Sequence, residues 1–197
     1  MRTPLLLLAI FILCTALSII GCKELFTWFL EAIPALIGAV VLILTYKQFR
    51  FTNFTYTLIL LHCIVLLIGA HYTYAEVPLF DWIKITFHQS RNNYDKVGHF
   101  FQGFVPALIV REICIRKNVV NGKKWLSFII VSVSLAISAF YELIEWFVSV
   151  NSGESGDAFL GTQGYIWDTQ SDMLTALIGA LVLIVVFSGI HDKALVG

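Results

Sequence analysis

Long apolar runs separated by polar connections make up most of the sequence. A helix needs about 20 apolar residues to cross the hydrocarbon core of a bilayer. Six stretches meet or approach this length, at approximately 4–21, 26–46, 54–74, 98–115, 125–150 and 168–188. The runs are continuous rather than alternating, which disfavours spanning strands, so we predict an all-α fold, a polytopic bundle of six transmembrane helices that forms one multi-pass domain over residues 1–197. Close helix contacts in this bundle are expected at the small residues Gly38, Gly69, Gly103 and Gly179.

Two connections between the runs are much longer than the others. They cover residues 75–97 and 151–167, and structureless connections beyond about 12–15 residues are uncommon and often functional. The helical spacing of apolar residues in 77–88 predicts a short helix lying at the membrane interface, with a gate or lid as the alternative. The second connection carries glycines, Glu154, Asp157 and no basic residue. It is either a solvated flexible loop or a lid whose acids complete a site.

Lysine and arginine are unevenly divided between the two ends of this bundle. Four of them fall at the end that carries the long connections: Lys23, Lys84, Arg91 and Lys96. Nine fall at the opposite end: Arg2, Lys47, Arg50, Arg111, Arg116, Lys117, Lys123, Lys124 and Lys193. Because basic residues concentrate in cytoplasmic loops, we predict both termini in the cytoplasm and the long connections outside, in a bacterial inner membrane.

The acidic residues, which do not enter the positive-inside rule, show the opposite asymmetry. Eleven of the thirteen lie in the outer half with four bases, which gives that half a net charge near −7. The inner half has nine bases and only Glu112 and Asp192, which gives it a net charge near +7. A shortage of bases in exported loops explains the missing lysines, but it does not explain carboxylates inside the helices.

Composition narrows the class of protein further. Hydrophobic residues make up 58% and charged residues 13% of the 197 positions, against about 45–50% and about 25% in soluble domains. The mean hydropathy of +0.84 agrees with this, and together the values exclude a soluble globular enzyme, a disordered tail and a coiled coil. Thirteen bases balance thirteen acids and leave no basic stripe, which excludes a nucleic-acid partner. The expected partner is the lipid bilayer.

The four cysteines add little chemistry. Cys14, Cys22, Cys63 and Cys114 form no CxxC motif and lie in or beside apolar runs, so we interpret them as buried small hydrophobic residues. An alternative concerns residues 19–22, Ile-Ile-Gly-Cys, which resemble a lipoprotein signal with a lipidated cysteine. Cleavage there would leave the remaining topology unchanged.

The residues that could carry chemistry begin at the outer end of the fourth run. Asp95, His99 and Gln102 are spaced i, i+4 and i+7, so they lie on one helical face. Pro106 continues this face and frees the backbone carbonyl of Gln102, because proline cannot donate a hydrogen bond to it. Lys96, beside Asp95, is interpreted as a neutralising charge.

Three other helices bring acids to a similar depth. Glu142 and Glu145 share a face of the fifth run, Asp168 and Asp172 share a face of the sixth, and Glu31 lies in the second. A charge at the bilayer centre costs about 2.5–3.5 kcal/mol on insertion scales, so several together are expected to face inward and bind something. Interhelical hydrogen bonding or a salt bridge is the alternative for the two glutamates of the fifth run.

These residue types fit two kinds of chemistry. As ligands for a divalent metal ion, the candidate cofactor, we predict Asp95, His99, Glu142, Glu145, Asp168 and Asp172. As catalytic residues for general acid/base work we predict Glu142, Glu145 and His99, since carboxyl and imidazole groups exchange protons readily when they are crowded. His62, in the third run, is interpreted instead as a buried hydrogen-bonding group.

Three segments carry a family resemblance. They are YDKVGH at 94–99, YELIEW at 141–146, and GTQG at 161–164 followed by WDTQSD at 167–172. With these motifs the chain closely resembles the YjdF-like bacterial inner-membrane proteins over nearly its whole length. The Asp-x-x-x-His motif at a helix start is more loosely similar to VanZ-like proteins. The resemblance implies a multi-pass inner-membrane protein of uncharacterised function and leaves the mechanism open.

Three functions are compatible with an outward-facing acidic and histidine-containing pocket. They are a metal-assisted membrane enzyme acting on a lipid-linked or envelope substrate, a proton- or cation-coupled transporter, and a non-catalytic scaffold. Transport needs polar groups through both halves, whereas the inner half offers only Arg111 and Glu112 near its surface, and no repeat of matched broken helices is evident. A scaffold would not need the buried acids. We therefore favour the enzyme, with a lipid-linked or small-molecule ligand.

Overall fold

The computed structural model describes residues 2–152 and 162–196, and within these ranges the chain is helical with no strand. The α-helices are α1 Arg2–Ile19, α2 Leu25–Thr45, α3 Asn53–Tyr72, α4 Pro78–Thr86, α5 Tyr94–Arg116, α6 Lys123–Ser152, α7 Asp168–Val182 and α8 Ser188–Val196. A π-helical turn, Leu183–Phe187, joins α7 to α8, so these two form one long helix. The all-α prediction is confirmed for the described residues.

Side-chain caps fix where two of the long helices begin. The carboxylate of Glu24 accepts a hydrogen bond from the Thr27 N–H at 3.1 Å at the start of α2. The hydroxyl of Thr52 accepts one from the Thr55 N–H at 3.2 Å at the start of α3. Each cap satisfies a backbone donor that the first turn of a helix leaves free, so polar residues mark these starts within otherwise apolar sequence.

Four helical segments of the described chain are long and apolar enough to cross a bilayer. They are Leu25–Thr45, Asn53–Tyr72, Lys123–Asn151 and Asp168–Val196. Thr3–Ile19 is apolar but shorter, and α5 carries charged side chains near both of its ends. Large apolar side chains such as Leu44 and Val185 point outward, as contact with lipid requires. The structure therefore supports a helical membrane protein with four candidate spans, where the sequence pattern predicts six.

Helix α5 is the centre of the bundle. It packs against α3, α6 and α7, and α3 in turn packs against α1 and α2. Midway along α5 the interior is apolar, with Phe104, Leu108, Ile130 and Leu183 each at most 4% exposed. These four residues form the apolar layer, which separates polar groups at the two ends of the bundle.

Two glycines allow α5 and α7 to approach at backbone distance. A Cβ atom at Gly103 would lie 1.7 Å from the carbonyl oxygen of Ala176, and one at Gly179 would lie 2.1 Å from that of Phe100. The close helix contact predicted at these two glycines is confirmed. The contact predicted at Gly38 is wrong, because a Cβ there would meet no described atom within 4 Å.

The glycine at position 69 has a different role from the one predicted. A Cβ atom at Gly69 would overlap the ring of Tyr74, with the nearest ring atom at 2.2 Å. Tyr74 follows the end of α3, where Thr73 has a positive φ of 55° and turns the chain back. Gly69 therefore makes room for a side chain of its own segment rather than for another helix.

The short helix predicted at 77–88 is present as α4. Pro78 stands at its first turn, where the missing N–H costs nothing. Leu79, Trp82 and Ile85 are exposed on one side, while Phe80 packs edge-on against the ring of Tyr94 at 5.2 Å between centroids. One apolar side thus faces away from the protein, as in a helix that lies at an interface.

A buried polar network closes the end of the bundle at which α5 ends. Glu112 is fully buried and accepts hydrogen bonds from Thr55 Oγ1 at 2.6 Å and from Arg116 Nη1 at 2.8 Å. His191 Nε2 lies 3.3 Å from the same carboxylate, and its Nδ1 lies 2.8 Å from Arg111 Nη1. Since the arginine can only donate, His191 accepts through Nδ1 and donates through Nε2. We call this end the network end and the opposite end, where α5 and α7 begin, the pocket end.

Candidate functional site

A pocket of about 250 Å³ lies at the pocket end, between α2, α3, α5, α6 and α7. Among the residues on its wall, those with ionisable side chains are Glu31, His62, Tyr74, Asp95, His99, Tyr141, Glu145, Asp168 and Asp172. Gln102 and Pro106 continue the α5 face below His99, as the i, i+4, i+7 spacing predicts. The structure thus brings acids of α2, α5, α6 and α7 to one place, and we call it the acidic pocket.

The backbone contact at Gly103 sets the register of the residues above it. Helices α5 and α7 run in the same direction, and three of their residue pairs on this face share one offset. The pairs are Asp95 with Asp168, His99 with Asp172, and Gly103 with Ala176. Because each helix repeats this face every four residues, the close approach at Gly103 places a histidine opposite an aspartate one turn further out.

Two cations neutralise the outermost acids. Arg91, which precedes α5 and is buried, donates to Asp95 and to Asp168. Lys96 Nζ lies 2.6 Å from Asp172 Oδ1, 2.9 Å from Asp168 Oδ1 and 3.4 Å from Asp95 Oδ2. Lys96 is the neutralising charge that the sequence indicates. Arg91 was not predicted to take part, although its spacing of four residues from Asp95 was a usable signal.

The contacts of Lys96 account for its charge. Its ammonium group donates to Asp172 and Asp168 and lies beside Asp95, so its positive charge is shared among three aspartates.

His99 sits between three polar partners. Its Nδ1 lies 3.0 Å from Gln102 Oε1 and 3.7 Å from Glu142 Oε1, and its Nε2 lies 3.6 Å from Asp172 Oδ1. When Nδ1 carries the hydrogen and donates it to Gln102, Nε2 presents a lone pair towards a carboxylate. The oxygen that faces Nε2, Asp172 Oδ1, is also held by Lys96 Nζ at 2.6 Å, so a proton or cation at Nε2 would share this carboxylate with the lysine.

Glu142 presents a second group in need of a partner. Its Oε1 is buried and has no hydrogen-bond partner among residues 2–152 and 162–196, although the Thr169 hydroxyl lies near the carboxylate. One ligand atom each from His99, Glu142 and Asp172 lie within 4.8 Å of one another. Asp95, Asp168 and Asp172 form a similar group, in which Arg91 or Lys96 already binds every carboxylate. In the first group, Lys96 binds Asp172.

A second pair of acids, Glu31 and Glu145, lines another part of the pocket wall. Tyr141 donates a hydrogen bond to Glu31 Oε2 at 3.2 Å, and Glu145, only 8% exposed, lines the same wall. His62 stacks on Phe101, and its Nε2 is buried without a hydrogen bond in the part of the chain that the structure describes. His62 therefore lines the acidic pocket, where the sequence indicated a hydrogen-bonded group outside any site.

The second long connection reaches the pocket through its final residues. Gln163 donates to the Asn92 carbonyl at 2.8 Å and accepts from the Asn92 N–H at 3.0 Å. The Tyr165 ring lies 5.9 Å from both Arg91 and Lys96. Glu154 and Asp157, which the sequence offers as acids of a lid, lie outside the described residues.

Fold and site together define a helical membrane protein with a buried acidic and histidine-containing pocket near one end. The chain belongs to the family of predicted membrane proteins described as DUF2238, whose model matches residues 3–193. It is 44% identical over 195 residues to the inner membrane protein YjdF of Escherichia coli (strain K12), covering 99% of this chain and 92% of that protein. No solved structure matches the chain. The family resemblance carried by the three sequence motifs is confirmed.

Proposed function

We propose that the protein is a metal-assisted membrane enzyme whose acidic pocket opens to the outer face of a bacterial inner membrane. The observation that carries the proposal is the arrangement of His99 Nε2, Asp172 and the unpartnered oxygen of Glu142 within one small volume. A divalent transition-metal ion between them would satisfy the imidazole lone pair and two carboxylates at once.

Charge balance supports a cation at this place. The charges of Arg91 and Lys96 are already shared among three aspartates. An isolated buried carboxylate is costly unless it is paired or bound to a metal. Three protein ligands with a remaining open position are typical of catalytic rather than structural metal sites. The bound ion would polarise a substrate oxygen or activate water.

Glu145 fits the role of a proton carrier. Glu145 lies on the pocket wall beside the Glu31–Tyr141 pair, in a position to hold or move a proton next to the ion site. We assign catalysis to Glu142, Glu145 and His99, with Asp95 and Asp168 kept as the partners of Arg91 that hold α7 against α5.

The shape of the pocket supports a lipid-linked substrate. Ile137 and Phe140 line the pocket and are also exposed on the lipid-facing side of α6, at 39% and 65%. A molecule with an apolar tail can therefore approach sideways while its polar head meets the acids. The apolar layer separates the acidic pocket from the network end within the described residues, which weighs against a transporter.

Metal analysis of the purified protein tests this proposal. We expect the wild type to hold a stoichiometric divalent ion. The Glu142→Gln variant should lose most of it, because one of the three ligands is gone and only two remain. Glu76→Gln is the matched control, since Glu76 is an exposed acid at the same end, paired with Lys23. Equal metal contents in all three proteins, or none in the wild type, would contradict the assignment of the site.

The proposed orientation has its own test. We propose six crossings with both termini in the cytoplasm, so that α1 and α5 cross in addition to the four candidate spans. The basic network end and the acidic pocket end support this. A cytoplasmic reporter fused at Gly197 and a periplasmic reporter fused near Ser155 should both be active. Activity of a cytoplasmic reporter at Ser155 would place the acidic pocket on the cytoplasmic side and contradict the proposed orientation.

A further inference from the structure

A second cavity, of about 490 Å³, lies between α1, α2 and α3 at the network end. Its wall is apolar, with Leu8, Phe11, Leu42 and Leu60 among the side chains that line it. It reaches from Tyr56 to Cys63 along α3, a depth of roughly 10 Å at about 1.5 Å per helical residue. We call it the α1–α3 crevice.

The mouth of the crevice is basic and carries an unused hydrogen-bond donor. The Arg50 guanidinium is exposed and lies 5.6 Å from the centroid of the Tyr46 ring. Tyr56 lines the crevice and is 8% exposed, and its buried hydroxyl has no acceptor among the described residues. The adjacent Phe51 N–H can only donate to it. None of the described residues that line the crevice is acidic.

We propose that the α1–α3 crevice binds one anionic phospholipid, with an acyl chain between the helices and the phosphate at Arg50 and Tyr56. Guanidinium groups are the strongest side-chain partners of phosphate, and a buried phenol hydroxyl gains the acceptor that it lacks. The cavity volume falls within the range of about 300–1,000 Å³ that small-ligand pockets have.

The surroundings favour an anionic over a zwitterionic headgroup. Lys47 is exposed one turn before Arg50, and Lys117 lies 5.7 Å from the neighbouring Phe49 ring. Glu112, a buried acid at the same end, is held by Arg116 and the threonines of the network. The charged side chain that lines the crevice is thus the base Arg50, and Lys47 adds a second positive charge at its mouth, as in sites for acidic lipid headgroups.

Lipid titration of the full-length protein in mild detergent, followed by native mass spectrometry, tests this inference. Phosphatidylglycerol should bind about fivefold or more tightly than phosphatidylcholine with the same acyl chains. Arg50→Gln and Tyr56→Phe should each remove most of that preference. Lys124→Gln is the matched control, an exposed base at the same end that does not line the crevice, and it should keep the preference.

Two further experiments test the contributions of the lipid headgroup and of the acyl chain separately. Glycerol phosphate alone should not bind, and Ala39→Phe, which fills the crevice, should abolish binding of the whole lipid. Equal binding of both lipids, or equal losses in Arg50→Gln and Lys124→Gln, would overturn the inference in favour of general surface attraction. If the protein forms a dimer that Ala39→Phe disrupts and added lipid does not disrupt, the crevice holds a second copy of the chain, and the lipid inference is overturned.

Discussion

Gly103→Ala is expected to destabilise the bundle strongly although it adds a single methyl group. The new Cβ atom would lie 1.7 Å from the carbonyl oxygen of Ala176. A backbone atom cannot swing aside as a side chain can, so α5 and α7 must separate. Overpacking costs about 1–3 kcal/mol and occasionally more, and at the top of this range the melting temperature falls by roughly 6–12 °C. Thermal unfolding in detergent measures this directly.

Gly38→Ala is the matched control for that substitution. Gly38 also lies inside an apolar helix, α2, but a Cβ atom there meets no described atom within 4 Å. The change should be neutral or slightly stabilising, because alanine is the better helix former by about 1 kcal/mol. Equal losses for both variants would mean that the α5–α7 contact does not limit stability.

In the Gly103→Ala variant, separation of α5 from α7 should also move Asp172 away from His99 and lower the metal content.

The apolar pattern was sufficient to place the helices. The run expected at 125–150 is present as Lys123–Ser152, and the one expected at 26–46 as Leu25–Thr45, because hydrocarbon-facing helices must be continuously apolar. The pattern could not decide how many helices cross. Helix α5 has the length of a span, but it carries buried charged side chains such as Arg111 and Glu112, and hydropathy does not distinguish a buried charge from an exposed one.

The sequence predicted which acids and which histidine belong to the candidate site, but it did not predict which of these side chains lie opposite one another. Helical spacing placed Asp95 with His99, and Asp168 with Asp172, on two separate faces. That these faces meet depends on the register between α5 and α7, which the Gly103–Ala176 contact fixes and which no local pattern encodes. Arg91 was missed for a similar reason, because it lies in a connection and reaches Asp168 only after the helices pack.

The hydrogen-bond network at the network end was not predicted from the sequence. The sequence indicated only isolated charges near that surface, whereas the structure joins Glu112, His191, Thr55 and Arg111 in one chain of hydrogen bonds. These residues come from three helices that are distant in sequence, so the network is a product of tertiary packing. Fully satisfied, such a network rigidifies a helix end, which suits an anchor better than a moving gate.

Glu145→Gln is expected to keep the fold and the metal but to abolish function. The amide preserves nearly the volume and hydrogen-bonding capacity of the acid, and it removes the desolvation cost of a buried charge, so that stability should be unchanged or higher. It cannot accept and return a proton, and loss of a general acid or base lowers rates by about 10²–10⁴. Complementation of a strain that lacks the gene, with metal content and melting temperature measured on the same variant, checks all three expectations.

Comparison with neighbouring variants separates chemistry from packing. Glu142→Gln should lose both metal and complementation, because Glu142 is assigned as a ligand, whereas Glu145→Gln should lose complementation alone. Asp172→Asn and His99→Gln should behave like Glu142→Gln, since both face the same ion position. If Glu145→Gln instead complements fully while Glu145→Ala fails to fold, the glutamate fills space and holds helices together. In that case the acids of α6 stabilise the bundle, and the proposed enzyme loses its proton carrier.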